Sequence, residues 1–209
     1  MSGMEDYRAE VARYMARLYE RGLTTACGGN VSLRAGDLMY ITPSSIDKAA
    51  IMPSQVAIID IASARSLTPD IRVSIEGEMH RQVYLAREDV CAVVHSHPLF
   101  ASMYSALEEP VETRLIAENC YLLGQVVKAP YALMGTKELA GSVARCIMEH
   151  DVVLMENHGA LTVGTSLLTA FERMEVLERA AKMTYLTGGR VHPRPLDDAQ
   201  VAAIMKDFA

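Results

Sequence analysis

Two short apolar runs in this 209-residue chain end in histidine, and they restrict the fold more than any other feature. Val90-Cys91-Ala92-Val93-Val94 leads into His95-Ser96-His97, and the run from Val152 to Glu156 leads into Asn157-His158-Gly159. Runs this short, apolar and β-rich suit buried strands. Residues two apart on a strand point to the same face. His95 and His97 therefore project together from a strand end, while Ser96 turns away. A lone His-x-His reads equally well as two unrelated polar residues. A third imidazole, His158 from a second strand end, shifts the balance towards a metal-binding set.

Three nitrogen ligands with open positions describe a catalytic metal site rather than a closed structural one. Zinc is the first expectation, with Mn, Co, Ni and Fe open on ligand type. Glu76 lies at the start of a predicted helix, where its carboxylate can reach a shared cleft. His80 follows four residues later on the same helical face and is read as a supporting residue. His150 and His192 are expected to be exposed.

The remaining pattern predicts a helix over 5–21, with Tyr7, Val11, Met15 and Leu18 in line. A hairpin is expected at 31–34 and 38–42, and a strand at 56–60. Further helices are expected over 75–87, from Pro98 onwards, over 136–149 and over 166–186. Ile75, Met79, Val83 and Ala86 are taken as one buried face of the second. Gln125 to Lys128 reads as a short strand within an otherwise uninformative stretch, 110–134. The tail from Arg190 reads as an arm or a short last helix. Irregular alternation with at least one hairpin favours a mixed or antiparallel sheet covered by helices over a doubly wound parallel one.

Half of the residues are hydrophobic and 22% are charged, which suits a folded core and excludes wholesale disorder. The formal net charge is −6, and no Lys/Arg run offers the basic face that nucleic acid needs. An anionic ligand would need local donors instead. No segment reaches the length of a membrane span. The N-terminus lacks the pattern of a signal peptide. With four scattered cysteines and no CxxC pair, the expectation is a cytoplasmic protein with reduced, mostly buried thiols.

Gly28-Gly29-Asn30, Ser44-Ser45 after Pro43, and Ser74 can each be read as a turn or a cap. Together they supply what a phosphate site uses: backbone N–H groups, small hydroxyls and a side-chain amide.

These stretches resemble the class II aldolase/adducin superfamily, in particular its fuculose-phosphate aldolase branch, over about residues 5–187. The matching segments are Gly29-Asn30-Val31-Ser32-Leu33-Arg34, Ile41-Thr42-Pro43-Ser44-Ser45, Ser74 to His80, Val93 to Pro98, Ala129-Pro130-Tyr131 with Gly135-Thr136, and Asn157-His158-Gly159. The resemblance implies one domain over 1–209, an α/β/α three-layer sandwich with a mixed, largely antiparallel sheet. It also implies a homotetramer with active sites at subunit contacts. It implies a divalent metal on His95, His97 and His158, Glu76 as the acid–base residue, and Gly29, Asn30, Ser44, Ser45 and Ser74 around a substrate phosphate. The chain departs from the family's pattern at Ser44-Ser45, where Thr-Gly is frequent, and at Ile75, where a second serine is frequent. The aldolase's proton-donating tyrosine falls at Ile116, and Tyr121 lies five residues on.

The implied reaction is reversible cleavage of a ketose 1-phosphate to dihydroxyacetone phosphate and an aldehyde. The metal would polarise the ketone oxygen and Glu76 would move the proton. Epimerisation, decarboxylation or dehydration of related sugar phosphates on the same scaffold remain alternatives. So, further down, do a non-catalytic adducin-like module and a metallohydrolase.

Overall fold

The computed structural model of the chain describes residues 2–188 and 192–208. Among them, seven strands form one sheet: β1 (Asn30–Ala35), β2 (Leu38–Ile41), β3 (Ala57–Asp60), β4 (Ala92–Ser96), β5 (Val127–Ala129), β6 (Val152–Met155) and β7 (Gly159–Gly164). The order across the sheet is β3-β2-β1-β4-β7-β6-β5. Only β5 and β6 run parallel. The other neighbours are antiparallel. The helices are α1 (Ser2–Glu20), α2 (Gly77–Ala86), α3 (Leu99–Ser105), α4 (Ala117–Leu123), α5 (Lys137–Ile147), α6 (Leu167–Thr187) and α7 (Asp198–Phe208).

The period-2 alternation of strand side chains divides the core in two. Val31, Ala92, Val94, Val152 and Leu154 face α1, α3 and α6, where they meet Val11, Met15, Leu18, Tyr104, Phe171 and Met174. Val93, Val153, Met155, Leu161 and Val163 face α2 and α5, where they meet Met79, Val83, Leu139, Val143 and Ile147. Helices on both faces of a mixed, mostly antiparallel sheet make the expected α/β/α sandwich. The histidine-bearing strand β4 is central, and all five of its residues are buried.

Caps set the helix starts. Thr136 Oγ1 accepts from Leu139 N at 3.3 Å and Ser166 Oγ accepts from Thr169 N at 3.2 Å, each satisfying an orphan N–H. Pro98 is the residue before α3 rather than its first turn. The 75–87 helix starts two residues late, at Gly77, and Ile75 is exposed rather than part of the buried face. Ile75 sits in the turn preceding the helix, so helical periodicity does not govern it. The stretch 110–134 contains α4, which periodicity missed because the helix has only seven residues, less than two full turns. The last helix is α7, while Gly189 and Arg190 lie outside the described residues. Of the cysteines only Cys120 is buried, against the expectation of mostly buried thiols; Cys91 and Cys146 are half-buried and Cys27 is exposed, and none is bridged.

No helix among the described residues is long and apolar enough to cross a membrane. Leu154 is central to the first core and 1% exposed. Leu154→Ala is expected to lower unfolding free energy by about 2–5 kcal/mol, measured by denaturant titration.

Candidate functional site

Sheet register brings the predicted residues to one end of the central strands. Asn30, the first residue of β1, pairs with His95 near the end of β4. Ser96 pairs with Ala160 at the start of β7, so the β6–β7 turn carrying His158 lies beside the His95-Ser96-His97 segment. Glu76 is the N-cap residue of α2, where the helix N-terminus favours a carboxylate. The three imidazole rings cluster, with centroids 4.7 Å apart for His95–His97, 4.9 Å for His95–His158 and 5.5 Å for His97–His158. One nitrogen from each lies within 4.8 Å of the others.

Two glycines make this convergence sterically allowed. A Cβ on Gly159 would stand 2.7 Å from His97 Cδ2 and 2.8 Å from Ser96 O. A Cβ on Gly29 would stand 2.7 Å from His95 O, and Gly29 also has φ +67°.

The tautomer of His95 is decided by its partner. The ring is fully buried, and Nδ1 donates to Ala160 O at 2.9 Å. A carbonyl can only accept, so in the neutral ring the lone pair is on Nε2. That lone pair lies 3.2 Å from Glu76 Oε2, and His158 Nε2 lies 3.1 Å from Glu76 Oε1. Neither His95 Nε2 nor Glu76 Oε1 has a hydrogen bond of acceptable geometry. A lone pair against a carboxylate is repulsive unless a cation, either a proton or a metal ion, lies between them. The donor set therefore fits a divalent cation held by His95, His97 and His158. Burial opposes a charge on His95, but Glu76 outweighs it and raises the ring's proton affinity. Burial likewise pushes Glu76 up. The charge of His95, the close approach of His158 and His95, and the hydrogen bond from Asn30 overcome this and hold the carboxyl well below the usual range. His97, pressed by burial and then by the other two rings, falls to about 3.

These groups open onto a cavity of about 480 Å³, lined in part by Gly29, Asn30, Ser44, Ser45, Ser74, Glu76, His97 and His158. His95 lies in contact with Glu76 but does not itself line the cavity. Ser74 Oγ accepts from Asn30 Nδ2 at 3.1 Å and from Glu76 N at 3.3 Å. Ser44 Oγ accepts from Ile75 N at 3.2 Å. With their oxygens occupied as acceptors, both hydroxyls keep a proton to donate to a ligand.

The sequence matches the family described as Class II Aldolase and Adducin N-terminal domain over residues 9–185. The chain belongs to this family. It is 31% identical over 172 residues to an L-fuculose phosphate aldolase of Methanococcus maripaludis, covering 81% of this chain and 91% of that one. It is 30% identical over 210 residues to a 5-deoxy-D-ribulose 1-phosphate aldolase of Bacillus thuringiensis, covering 98% and 96%. Among solved structures it resembles YgbL of Escherichia coli, described by the alternatives aldolase, epimerase and decarboxylase, with a TM-score of 0.90, 25% identity and coverage of 97% and 99%. Family and relatives mark the chain as an enzyme, a lyase of the class II aldolase type.

Within this class II aldolase fold some expected features lie elsewhere. Tyr121 lines a different surface depression, with Arg87, His150 and Arg173, and not the histidine cavity. His150 is half-buried in that depression rather than exposed. Ile116 caps α4. Among the cavity residues that escaped the sequence reading are Lys48 and the run Ala132-Leu133-Met134, while Tyr131 was noted only as part of a matching segment. Lys48 stands alone in sequence, and the 132–134 run carries no polar spacing that would single it out.

A buried polar chain behind the cavity was partly legible. Asn30 Nδ2 donates to Glu76 Oε2 at 2.7 Å, so Asn30 Oδ1 is the acceptor for His80 Nε2 at 2.5 Å. His80 Nδ1 then accepts from Ser32 Oγ at 2.7 Å, and Ser32 Oγ accepts from Tyr84 OH at 2.7 Å. Two spacings build this chain: Asn30 and Ser32 at i, i+2 on β1, and His80 and Tyr84 at i, i+4 on α2. It fixes the amide of Asn30, and through it one oxygen of Glu76. His80 must stay neutral to accept from Ser32, and burial, helped by nearby His95 and opposed by Glu76, pushes it down to about 3.

A depressed histidine stabilises the fold fully above its unfolded value and loses that contribution as the pH falls towards its folded one. Stability is expected to drop as pH falls from about 6.5 towards 3, followed by denaturant unfolding at each pH. In His80→Gln that part of the acid slope should be missing.

Proposed function

We propose that this chain cleaves a ketose 1-phosphate reversibly to dihydroxyacetone phosphate and an aldehyde. The observation that carries the reading is the meeting of three imidazoles and one carboxylate, of which His97, His158 and Glu76 line a cavity bordered by hydroxyl and amide donors. The names of the relatives, an L-fuculose phosphate aldolase and a 5-deoxy-D-ribulose 1-phosphate aldolase, support it. A divalent cation on His95, His97 and His158, zinc before Mn, Co, Ni or Fe, would supply Lewis-acid polarisation of the ketone oxygen.

Glu76 is assigned the proton transfer at the carbon that becomes nucleophilic. In contact with His95 and His158 its carboxylate is a weak base. Drawn off those rings by a bound substrate, it would keep the burial that raises its proton affinity, opposed only by the hydrogen bond from Asn30. Asn30 holds the carboxylate's second oxygen and limits that movement to a small one. Gly29, Asn30, Ser44, Ser45 and Ser74 are assigned to the substrate phosphate. A homotetramer with the cavities near subunit contacts goes with this reading, as does a cytoplasmic location.

One observation favours a second reading. Counted back from Pro130 without gaps, Ile116 falls near the position of the aldolase's proton-donating tyrosine, and its sec-butyl side chain donates nothing. Epimerisation or decarboxylation of a related sugar phosphate would use the same metal and carboxylate, and product analysis separates the three: two fragments, an epimer, or carbon dioxide.

Metal content and dihydroxyacetone phosphate release from a panel of ketose 1-phosphates test the proposal. Release is expected to be chelator-sensitive and abolished in His97→Ala. Glu76→Gln should retain metal while turnover falls about 10²–10⁴-fold, the range of a lost acid–base group; full turnover in that variant would remove Glu76 from the mechanism. Gly159→Ala is expected to displace the His97 ring and lower metal retention on dialysis while the far-ultraviolet circular dichroism stays unchanged.

A further inference from the structure

The cavity wall contains one charged group to which nothing above gives a role. Lys48 is 1% exposed, yet it lines the cavity with Ser44, Ser45 and Ser74. Its backbone N–H donates to Ala26 O at 2.8 Å, and its ammonium donates to Pro43 O at 2.6 Å. It therefore bridges the two turns that carry Gly29, Asn30, Ser44 and Ser45.

An ammonium has three N–H donors, and Pro43 O is its one hydrogen-bond acceptor among the described residues. No carboxylate among them lies within ion-pair distance of it. Burial without an anionic partner lowers the ammonium to about 8, with the cavity residues Cys27 and Glu76 pulling weakly the other way. A staple between two turns needs no charge, and a neutral side chain would avoid the cost of desolvating a cation. Among the described residues Lys48 is also the only Lys or Arg lining this cavity, whereas Glu76 contributes a negative charge. A phosphate monoester carries close to two negative charges near neutral pH. Hydroxyls and backbone N–H groups can orient it but do not offset its repulsion from Glu76.

We propose that Lys48 is the cationic anchor of this cavity for the phosphate monoester of the substrate. The inference rests on the sugar-phosphate reading above. It makes Lys48 a phosphate-binding residue that senses charge, and not a participant in carbon–carbon bond cleavage.

The test uses the metal-loaded protein and measures, by calorimetry, binding of inorganic phosphate, of dihydroxyacetone phosphate and of dihydroxyacetone. Lys48→Met should keep its metal and lose at least tenfold in affinity for the two phosphates, with dihydroxyacetone unaffected. Lys48→Arg should stay within a few-fold of the wild type. Wild-type phosphate affinity should fall as the pH rises through 8, where the ligand is already a dianion and the ammonium discharges. The fall should persist in Cys27→Ser, which removes the other titrating group facing Lys48 apart from the ionised Glu76. It should vanish in Lys48→Arg, whose guanidinium stays charged. Unchanged phosphate affinity in Lys48→Met would overturn the proposal. If Lys48→Met fails to fold, a flat wild-type pH profile would assign Lys48 to joining the two turns and overturn it as well. These are binding measurements, so absence of turnover on every ketose 1-phosphate would sink the aldolase reading and leave the phosphate anchor standing.

Discussion

The hydrogen bond from His95 Nδ1 to Ala160 O is the interaction on which the site depends. It joins two neighbouring strands, and it decides which nitrogen of a fully buried ring keeps its lone pair. Aimed at Glu76, that lone pair makes the carboxylate and the imidazoles into a set that is stable only with a cation among them. The sheet enforces the arrangement at no further cost, because β4 is central and paired on both sides. Moving His95 would require slipping a register that also buries Val93 and Val94 on opposite faces.

The polar chain behind Glu76 shows how the fold holds one orientation. Every group from Tyr84 to Asn30 is nearly or wholly buried, and an unsatisfied member there would cost about 1–3 kcal/mol. The donor order has one consistent direction, running from Tyr84 through Ser32, His80 and Asn30 to Glu76. A carboxylate anchored at the end of such a chain can move a proton without wandering. The other oxygen of Glu76 faces His158, so one residue is held by the polar core on one side and by the imidazole cluster on the other.

Much of this was legible in the sequence, for physical reasons that differ by residue. His95 and His97 were readable because strand geometry has a fixed period of two, and His158 because it too ends an apolar run. Glu76, Asn30 and the serines were read first as a helix-start carboxylate and as donors in turns and caps, with their roles sharpened by resemblance, and they do line one cavity. The failures share a cause. Ile75 was placed on a buried helical face because the pattern continues through the turn, and only backbone geometry shows that the helix begins at Gly77. The seven-residue α4 is too short for periodicity to stand out. Lys48 was invisible because burial of a lone lysine depends on two turns folding over it, which are 22 and 5 residues away at Ala26 and Pro43.

The charge balance of the cavity explains how a protein of net charge −6 can host an anion. Field strength at a site is set by the charges within a few ångströms and by the low polarity of the surrounding protein, not by the total. Here the nearby set is one carboxylate, one ammonium and three imidazoles, all wholly or largely withdrawn from water. Without a ligand one carboxylate oxygen and the facing imidazole nitrogen lack a hydrogen bond, and the ammonium has a single carbonyl acceptor among the described residues. The imidazoles and Glu76 are thus arranged around the place of a cation, while Lys48 and the serine hydroxyls retain donors for an anion. A ligand that coordinates at one end and carries a phosphate at the other would satisfy both halves at once. A neutral sugar would leave the ammonium uncompensated, so the same buried charge that weakens the empty fold gives the cavity its preference.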